Sequence, residues 1–353
     1  MALKLWLREE TKAFERRTPL TPHHASLLVN AGVEITVEES VDRIFPLSDY
    51  VEVGCKTSVA HSWKEANLDQ TILGLKEIEL THHTFHHDHI YFAHIFKGQA
   101  HATKVLRQYK EGSGRLFDLE FLTDKNKRRI AAFGHWAGFV GAALSLDRFL
   151  QQQIEVSDYP ELKSFESIEE FLSPIGDKIK EVSKHPKVII IGAKGRCGKG
   201  AHSVFERFNI PCTLWDYEET KPGGPFTQIL EHDIFINTVL LSQKIAPFIN
   251  KESLSPNQAL RVIGDVSCDP ESEFNPVPVY DRHTNWKEPF LKVEHSELEV
   301  LAVDNLPSIL PRESSEDFSE QLYPHLLDLH KDQGLPEVFK NALQEFDQNI
   351  SKV

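Results

Sequence analysis

Lys187-Val188-Ile189-Ile190-Ile191-Gly192-Ala193-Lys194-Gly195-Arg196-Cys197-Gly198-Lys199-Gly200 is the stretch that decides the fold. Its four consecutive β-branched residues, Val188 to Ile191, read as a strand buried on both faces. The glycines follow at once, and residues 201–208 read as a helix. A strand, a glycine turn and a helix open a dinucleotide-binding unit. The glycines let backbone approach a pyrophosphate, and the helix N-terminus attracts its charge. Residues 212–215 form a second short strand, ended by Asp216, 24 residues beyond Gly192. A carboxylate there accepts hydrogen bonds from a ribose 2′-hydroxyl and repels a 2′-phosphate, which favours NAD over NADP. The spacing of Gly192, Gly195 and Gly198 is GxxGxxG rather than GxGxxG. The glycines alone also fit a turn that only packs strand against helix. Strand, helix and distal acid together make dinucleotide binding the better reading.

Working outward, 353 residues suffice for two domains with separate cores. A hydrophobic content of 40% and a charged content of 26% are those of an ordinary globular chain. The net charge of −14 argues against a nucleic-acid partner. No 18-residue apolar run exists, so no membrane span is expected. The first ten residues carry no secretory apolar run, and a cytoplasmic location is expected. The four cysteines, at 55, 197, 212 and 268, have no metal-ligand spacing and read as free thiols.

Before the glycine turn, strand patterns over 3–7, 33–37, 71–75, 89–96 and 114–121 alternate with helices. Those helices cover 22–32, 101–109 and a short piece near Tyr50 capped by Ser48. Such alternation implies a parallel sheet. Residues 134–150 form a helix rich in small residues, read as the connection between domains. Residues 151–186 suggest a helical excursion. Further strands are expected over 233–237, 261–266 and 299–304, then a crossover at 306–313 and a helical tail.

Lys12, Arg16, Arg17, Lys76, Lys97, Arg128 and Arg129 fall in loops or at predicted strand ends. Gathered together they would suit a ligand with several carboxylates. From spacing alone, solvated surface charges are the simpler account. The run over residues 81–89 holds clustered histidines but no second half of a metal site, so it reads as a polar connecting loop without metal. His94 lies in an apolar pattern, where a lone histidine is more often a satisfied core residue than a catalyst.

Several stretches together carry a resemblance. They are Arg8-Glu9-Glu10-Thr11-Lys12 through Leu20-Thr21-Pro22, Gly74-Leu75-Lys76-Glu77, and Phe92-Ala93-His94 with Lys97 and Gln99. They continue with Asp118-Leu119-Glu120-Phe121-Leu122, Arg128-Arg129-Ile130-Ala131-Ala132-Phe133-Gly134, Gly195-Arg196-Cys197-Gly198 and Gly223-Gly224-Pro225-Phe226. The last is Asp304-Asn305-Leu306-Pro307-Ser308-Ile309-Leu310-Pro311-Arg312-Glu313. In this order they resemble the lysine-forming saccharopine dehydrogenase family, itself related to alanine dehydrogenases and transhydrogenases.

The resemblance implies an α/β fold of two Rossmann-like domains with parallel sheets and an active-site cleft between them. Residues 1–132 with 312–353 would form the substrate domain, and 133–311 the NAD domain. The implied reaction converts saccharopine, NAD⁺ and water to lysine, 2-oxoglutarate and NADH. It puts the general base on Lys76, tuned by neighbouring Glu77, and a second acid–base group on His94. Substrate contacts fall on Lys12, Arg17, Glu77, Lys97, Gln99, Glu120, Arg129 and Phe133. Cofactor contacts fall on Arg128, Gly195, Arg196, Asp216, Thr220, Val266 and Asp304. Partners would be small molecules only, with the chain working as a monomer. Lys194, Thr238 and Leu240 depart from the pattern near the cofactor, and 151–186 has no counterpart. A related opine-type or amino-acid dehydrogenase and a non-catalytic NAD-binding protein are the alternative readings.

Overall fold

The structure is a computed structural model that describes residues 3–79, 83–99, 101–156, 158–241, 243–255, 258–332 and 334–353. The chain divides into two units, Met1–Ala132 with Pro311–Val353, and Phe133–Leu310.

The first unit is built on β1 (Lys4–Leu7), α1 (Pro22–Asn30), β2 (Glu34–Glu38), α2 (Leu47–Glu52), β3 (Lys56–Ser58), β4 (Thr71–Leu73), β5 (His89–Tyr91), α3 (Ala102–Gly112) and β6 (Leu116–Asp118). The strands form one sheet in the order β3-β2-β1-β4-β5-β6, with every pair parallel. Leu5, Leu7, Leu73, Ile90 and Leu116 are fully buried, as expected where helices cover both faces of a parallel sheet. The tail helices Pro311–Lys331 and Glu337–Ile350 belong to this unit. Phe339 meets Phe117 edge to face, and Phe346 meets Tyr109 the same way. Strand order reverses between β1 and β4, so their carboxyl ends flank the crevice where open α/β sheets place ligands.

The second unit holds α4 (Gly134–Gln153), α5 (Ile168–Glu181), β7 (Val188–Ile191), α6 (Arg196–Arg207), β8 (Cys212–Trp215), α7 (Tyr217–Thr220), β9 (Ile234–Asn237), β10 (Val262–Asp265), β11 (Phe290–Lys292) and β12 (Glu299–Leu301). Its sheet runs β11-β12-β10-β9-β7-β8, and the order reverses between β7 and β9. The core lies on both faces, with Ile190 and Ile236 on one side and Ile189 and Phe235 on the other. Among the described residues no helix is long and apolar enough to cross a membrane.

Several expectations need correction. The helix α4 is not a linker: it is buried from Gly138 to Gln151 inside the second unit. A side chain at Gly138 would fall on the Cys197 carbonyl, so the small residues let α4 and α6 touch. The strand read over 89–96 stops at Tyr91, and His94 has left-handed backbone with φ 50°. Ser48 does not cap α2, which starts at Leu47 after Pro46. The polar three-residue β3 and the short β11 carry too weak a pattern to be read from sequence, and β11 is antiparallel to β12. The histidine run is a connecting loop over 83–88, as read, but it is not wholly polar or solvated. Thr81 and His82 lie outside the described residues, but His89 is buried among Trp63, Phe85 and Tyr109, and His87 is buried with its Nε2 3.0 Å from the Ala66 carbonyl. The segment 151–186 does hold a helix, α5, capped by Ser167, whose hydroxyl accepts the Glu170 N–H at 3.2 Å.

Candidate active site

The carboxyl ends of β1, β4, β5 and β6 bring the chemical side chains of the first unit to one edge of its sheet. The loop after β4 carries Lys76 and Glu77, and its backbone is held from beneath. The N–H groups of Leu75 and Lys76 donate to the Glu10 carboxylate at 2.6 and 2.8 Å. Arg8 lies 3.4 Å from the same carboxylate and donates to the Lys76 carbonyl. Burial pushes the Glu10 carboxyl up, while Arg8 and the two N–H groups oppose that.

The Lys76 ammonium lies 3.9 Å from Glu15. Glu15 is fully enclosed and takes a two-pronged contact from Arg17, at 2.8 and 2.6 Å. Burial pushes the Glu15 carboxyl up, but the Arg17 guanidinium and then Lys76 outweigh it, and the net movement is down. Planar guanidinium and carboxylate match in this geometry.

His94 Nδ1 lies 2.6 Å from Glu77 Oε1. If Nδ1 donates, the lone pair of the neutral ring sits on Nε2, where it can take a proton. Glu77 raises the pKa of His94, burial partly opposes this, and Asp118 and Glu120 add to the rise. Glu77 itself falls to about 2: burial raises it, but the His94 hydrogen bond, backbone donation and Lys12 outweigh that. Lys12 approaches the other Glu77 oxygen at 3.6 Å.

Glu120, beyond β6, accepts from Lys97 at 2.7 Å and also from Arg129. Gln99 turns its side-chain oxygen onto the Lys97 N–H at 2.9 Å. The cations therefore do not form a bare positive array. Lys12, Arg17, Lys97 and Arg129 each sit on a carboxylate, and an anionic ligand would have to share or displace those acids. Arg8, Glu10, Glu15 and Asp118 were not singled out from the sequence. The available signal was their place beside Lys12, Arg17 and Glu120 in the quoted motifs.

The second unit presents a different kind of site. Gly192 has φ 88°, a conformation strained for any side chain, and Gly195, the N-cap of α6, offers the helix no side-chain cap. A Cβ at Gly198 would fall on the Gly192 carbonyl. The uncapped N–H groups of a helix over Arg196–Arg207 suit the pyrophosphate of a dinucleotide. Asp216 accepts the Lys194 N–H at 2.8 Å and the Tyr217 N–H at 2.9 Å, which fixes its carboxylate at the end of β8. The Thr220 hydroxyl donates to the Asp216 carbonyl. The Val266 N–H donates to the Asn237 carbonyl at 2.9 Å, just past β10, and exposed Asp304 follows β12. Thr238 donates to the Ile191 and Gly192 carbonyls and so braces the turn. These residues fit the demands of an NAD cradle. Phe133 precedes α4 in the second unit, while Arg128 lies in a turn of the first unit whose N–H groups donate to Asp124.

The architecture is that of the alanine dehydrogenase and transhydrogenase class. A family model described as "Alanine dehydrogenase/PNT, N-terminal domain" matches residues 6–140, and "Alanine dehydrogenase/PNT, C-terminal domain" matches 225–349. A solved L-alanine dehydrogenase superposes with a TM-score of 0.68 at 20% identity, covering 97% of this chain and 94% of that one. A transhydrogenase from Sinorhizobium meliloti gives 0.62 at 13% identity, over 92% and 94% of the two chains. These likenesses establish the fold.

Sequence relatives narrow the class. Saccharopine dehydrogenase [NAD(+), L-lysine-forming] of Neurospora crassa is 41% identical over 98% of this chain and 96% of its own. The enzymes of that name from Emericella nidulans and Schizosaccharomyces pombe are 43% and 40% identical, covering 99% and 100% of this chain and 97% and 100% of their own. The chain belongs to the lysine-forming saccharopine dehydrogenase family.

Proposed function

We propose that this chain is an NAD-dependent oxidoreductase that converts saccharopine and water to L-lysine and 2-oxoglutarate, reversibly. The supporting geometry is a pair of proton-transfer groups of different kinds on one sheet edge. One is the Lys76 amine beside Glu15; the other is the His94 imidazole on Glu77. Oxidation of a secondary amine leaves an imine, which must gain water and then shed lysine. Such a sequence needs proton transfer at nitrogen and at water. NAD⁺ supplies the hydride acceptor. In its neutral, deprotonated form Lys76 takes the amine proton, and His94 Nε2 activates water while Glu77 holds the ring.

Lys12, Arg17, Lys97, Gln99, Glu120, Arg129 and Phe133 are assigned to substrate, with Glu77 beside them. Arg128, Gly195, Arg196, Asp216, Thr220, Val266 and Asp304 are assigned to the cofactor. Residues 1–132 with 312–353 are assigned to substrate, and 133–311 to NAD. A cytoplasmic monomer with small-molecule partners completes the reading.

The test is NADH oxidation with lysine plus 2-oxoglutarate, beside alanine and ornithine controls and an NADPH arm. Turnover selective for lysine and NADH is expected, because Asp216 repels a 2′-phosphate. Preference for ornithine or alanine would replace the substrate assignment. Equal rates with NADPH would remove the role given to Asp216.

A further inference from the structure

We propose that Asp118 is a positioning residue for the proton-transfer apparatus, clamping together the two loops that carry His94 and Glu120. Its kinetic consequence rests on the function proposed above; its structural consequence does not.

Asp118 is the last residue of β6 and is fully buried. Its Oδ2 accepts the Ala93 N–H at 3.2 Å, and its Oδ1 accepts the Glu120 N–H at 2.9 Å. One carboxylate thus joins the loop after β5 to the loop after β6. Ala93 immediately precedes His94, whose φ of 50° is a conformation that a side chain rarely adopts unless its neighbours impose it. The Asp118 clamp is one such neighbour. A carboxylate suits the task because both oxygens accept and neither donates. An asparagine in either orientation turns its NH₂ toward one of the two N–H donors.

The burial of this acid is costly. Among the described residues no ion pair is recorded for Asp118, and burial pushes its carboxyl up to about 6. The two N–H groups and His94 pull it down, while the Glu120 charge pushes with burial. An apolar side chain would fill the space at less cost. The acid makes sense if the two loops must be held together and His94 must feel its charge.

The groups facing His94 are Glu77 from beyond β4, and Asp118 and Glu120 from β6 and its following loop. Lys12 reaches His94 through Glu77, and Lys97 and Arg129 reach it through Glu120. Tyr91 and Tyr109 are the buried phenols that feel Asp118. Removing the Asp118 anion therefore lowers the His94 pKa, because an adjacent anion favours imidazolium.

The experiment combines His94 NMR titration with kinetics of Asp118→Asn, His94→Gln and their double variant. Three results are expected. The His94 titration midpoint moves down in Asp118→Asn. Turnover falls between about tenfold and a hundredfold, with the pH–rate profile displaced the same way. The combined loss in the double variant falls short of the product of the two single losses, since part of the effect of Asp118 runs through His94 and part through the Glu120 loop. An unmoved His94 midpoint, or losses that multiply in the double variant, would overturn the proposal. Wild-type turnover in His94→Gln would instead remove His94 from the reaction, and the NMR midpoint would still decide the role of Asp118. Should Asp118→Asn not fold, Asp118→Glu keeps the charge but shifts it by one methylene. It is expected to lower turnover and leave the titration of His94 near wild type; wild-type turnover there would count against the clamp.

Discussion

The two units reach their ligands by opposite means. Both place functional groups at the carboxyl ends of strands beside a reversal of strand order. The second unit does so mainly by leaving side chains out: glycines, an uncapped helix and one fixed carboxylate at Asp216. The first crowds side chains in: Lys12, Lys76 and Lys97 meet acids from another strand end, and Arg17 and Arg129 meet acids of their own loops. Binding a dinucleotide needs close backbone approach, whereas moving protons needs side chains whose charge states are set by their neighbours. Damage should therefore separate. Changes at the proton-transfer groups of the first unit should slow chemistry and spare NADH binding, and changes in the glycine turn should do the reverse.

The largest separation is expected from Lys76→Met and His94→Gln. Each should slow turnover about 10²–10⁴-fold while NADH binding, read by fluorescence, stays at the wild-type level. Their combined loss should fall short of the product, as for groups that act as a unit. A multiplicative double variant would assign the two residues to independent tasks.

In the other unit, Gly198→Ala drives a methyl against the Gly192 carbonyl and brings it within 2.6 Å of the Ala193 Cα. Overpacking of this kind costs about 1–3 kcal/mol, equivalent to a loss of NADH affinity between about fivefold and about a hundredfold if the turn opens to relieve it. Unchanged NADH affinity would mean that the turn does not hold the pyrophosphate.

Arg17→Ala leaves the enclosed Glu15 carboxylate without its guanidinium. Breaking a buried pair costs about 3–5 kcal/mol, so chemical denaturation should detect it in the first unit before any kinetic assay does. A loss under about 1 kcal/mol would put Arg17 and Glu15 with ordinary surface pairs.

The smallest effect is a pH dependence. The Glu77 carboxyl drops from the usual 4.5 to about 2, so its contribution to stability is present above 4.5 and fades as the pH falls toward 2. The pKa of His94 is raised above the usual 6.5, so its contribution is complete below 6.5 and fades as the pH rises through the folded value. The two overlap most fully between 4.5 and 6.5. Both groups are partly exposed, so His94→Gln should lower the melting temperature by about 2 °C or less, mainly in that window. A difference that does not vary with pH would show that the pair is not linked to folding.

These regions were also unequally legible. The glycine turn is local: strand, glycines, helix and distal acid fall within a few dozen residues, and each has a direct backbone meaning. The first unit's site draws on residues from Arg8 to Arg129, and no spacing rule joins Glu15 to Lys76 or Glu77 to His94. The strand pattern even misplaced His94, because Phe92, Ala93, Ile95 and Phe96 continue an apolar run past the end of β5. What ends the strand is the Asp118 contact with Ala93 and a left-handed residue, neither visible as periodicity. Similarly, the small residues of α4 predict close helix contact but not its partner; read as a connection between domains, the helix instead packs on α6 within the second unit. The family resemblance supplied the roles of Lys76 and His94; the carboxylates that hold them came from the fold.

The division of labour is tested most directly by single-turnover oxidation of bound NADH in the Lys76→Met/His94→Gln double variant, with lysine and 2-oxoglutarate at saturation. The account predicts NADH bound as tightly as in the wild type and oxidised at least about a hundredfold more slowly. Oxidation near the wild-type rate, or loss of NADH binding in this variant, would contradict it.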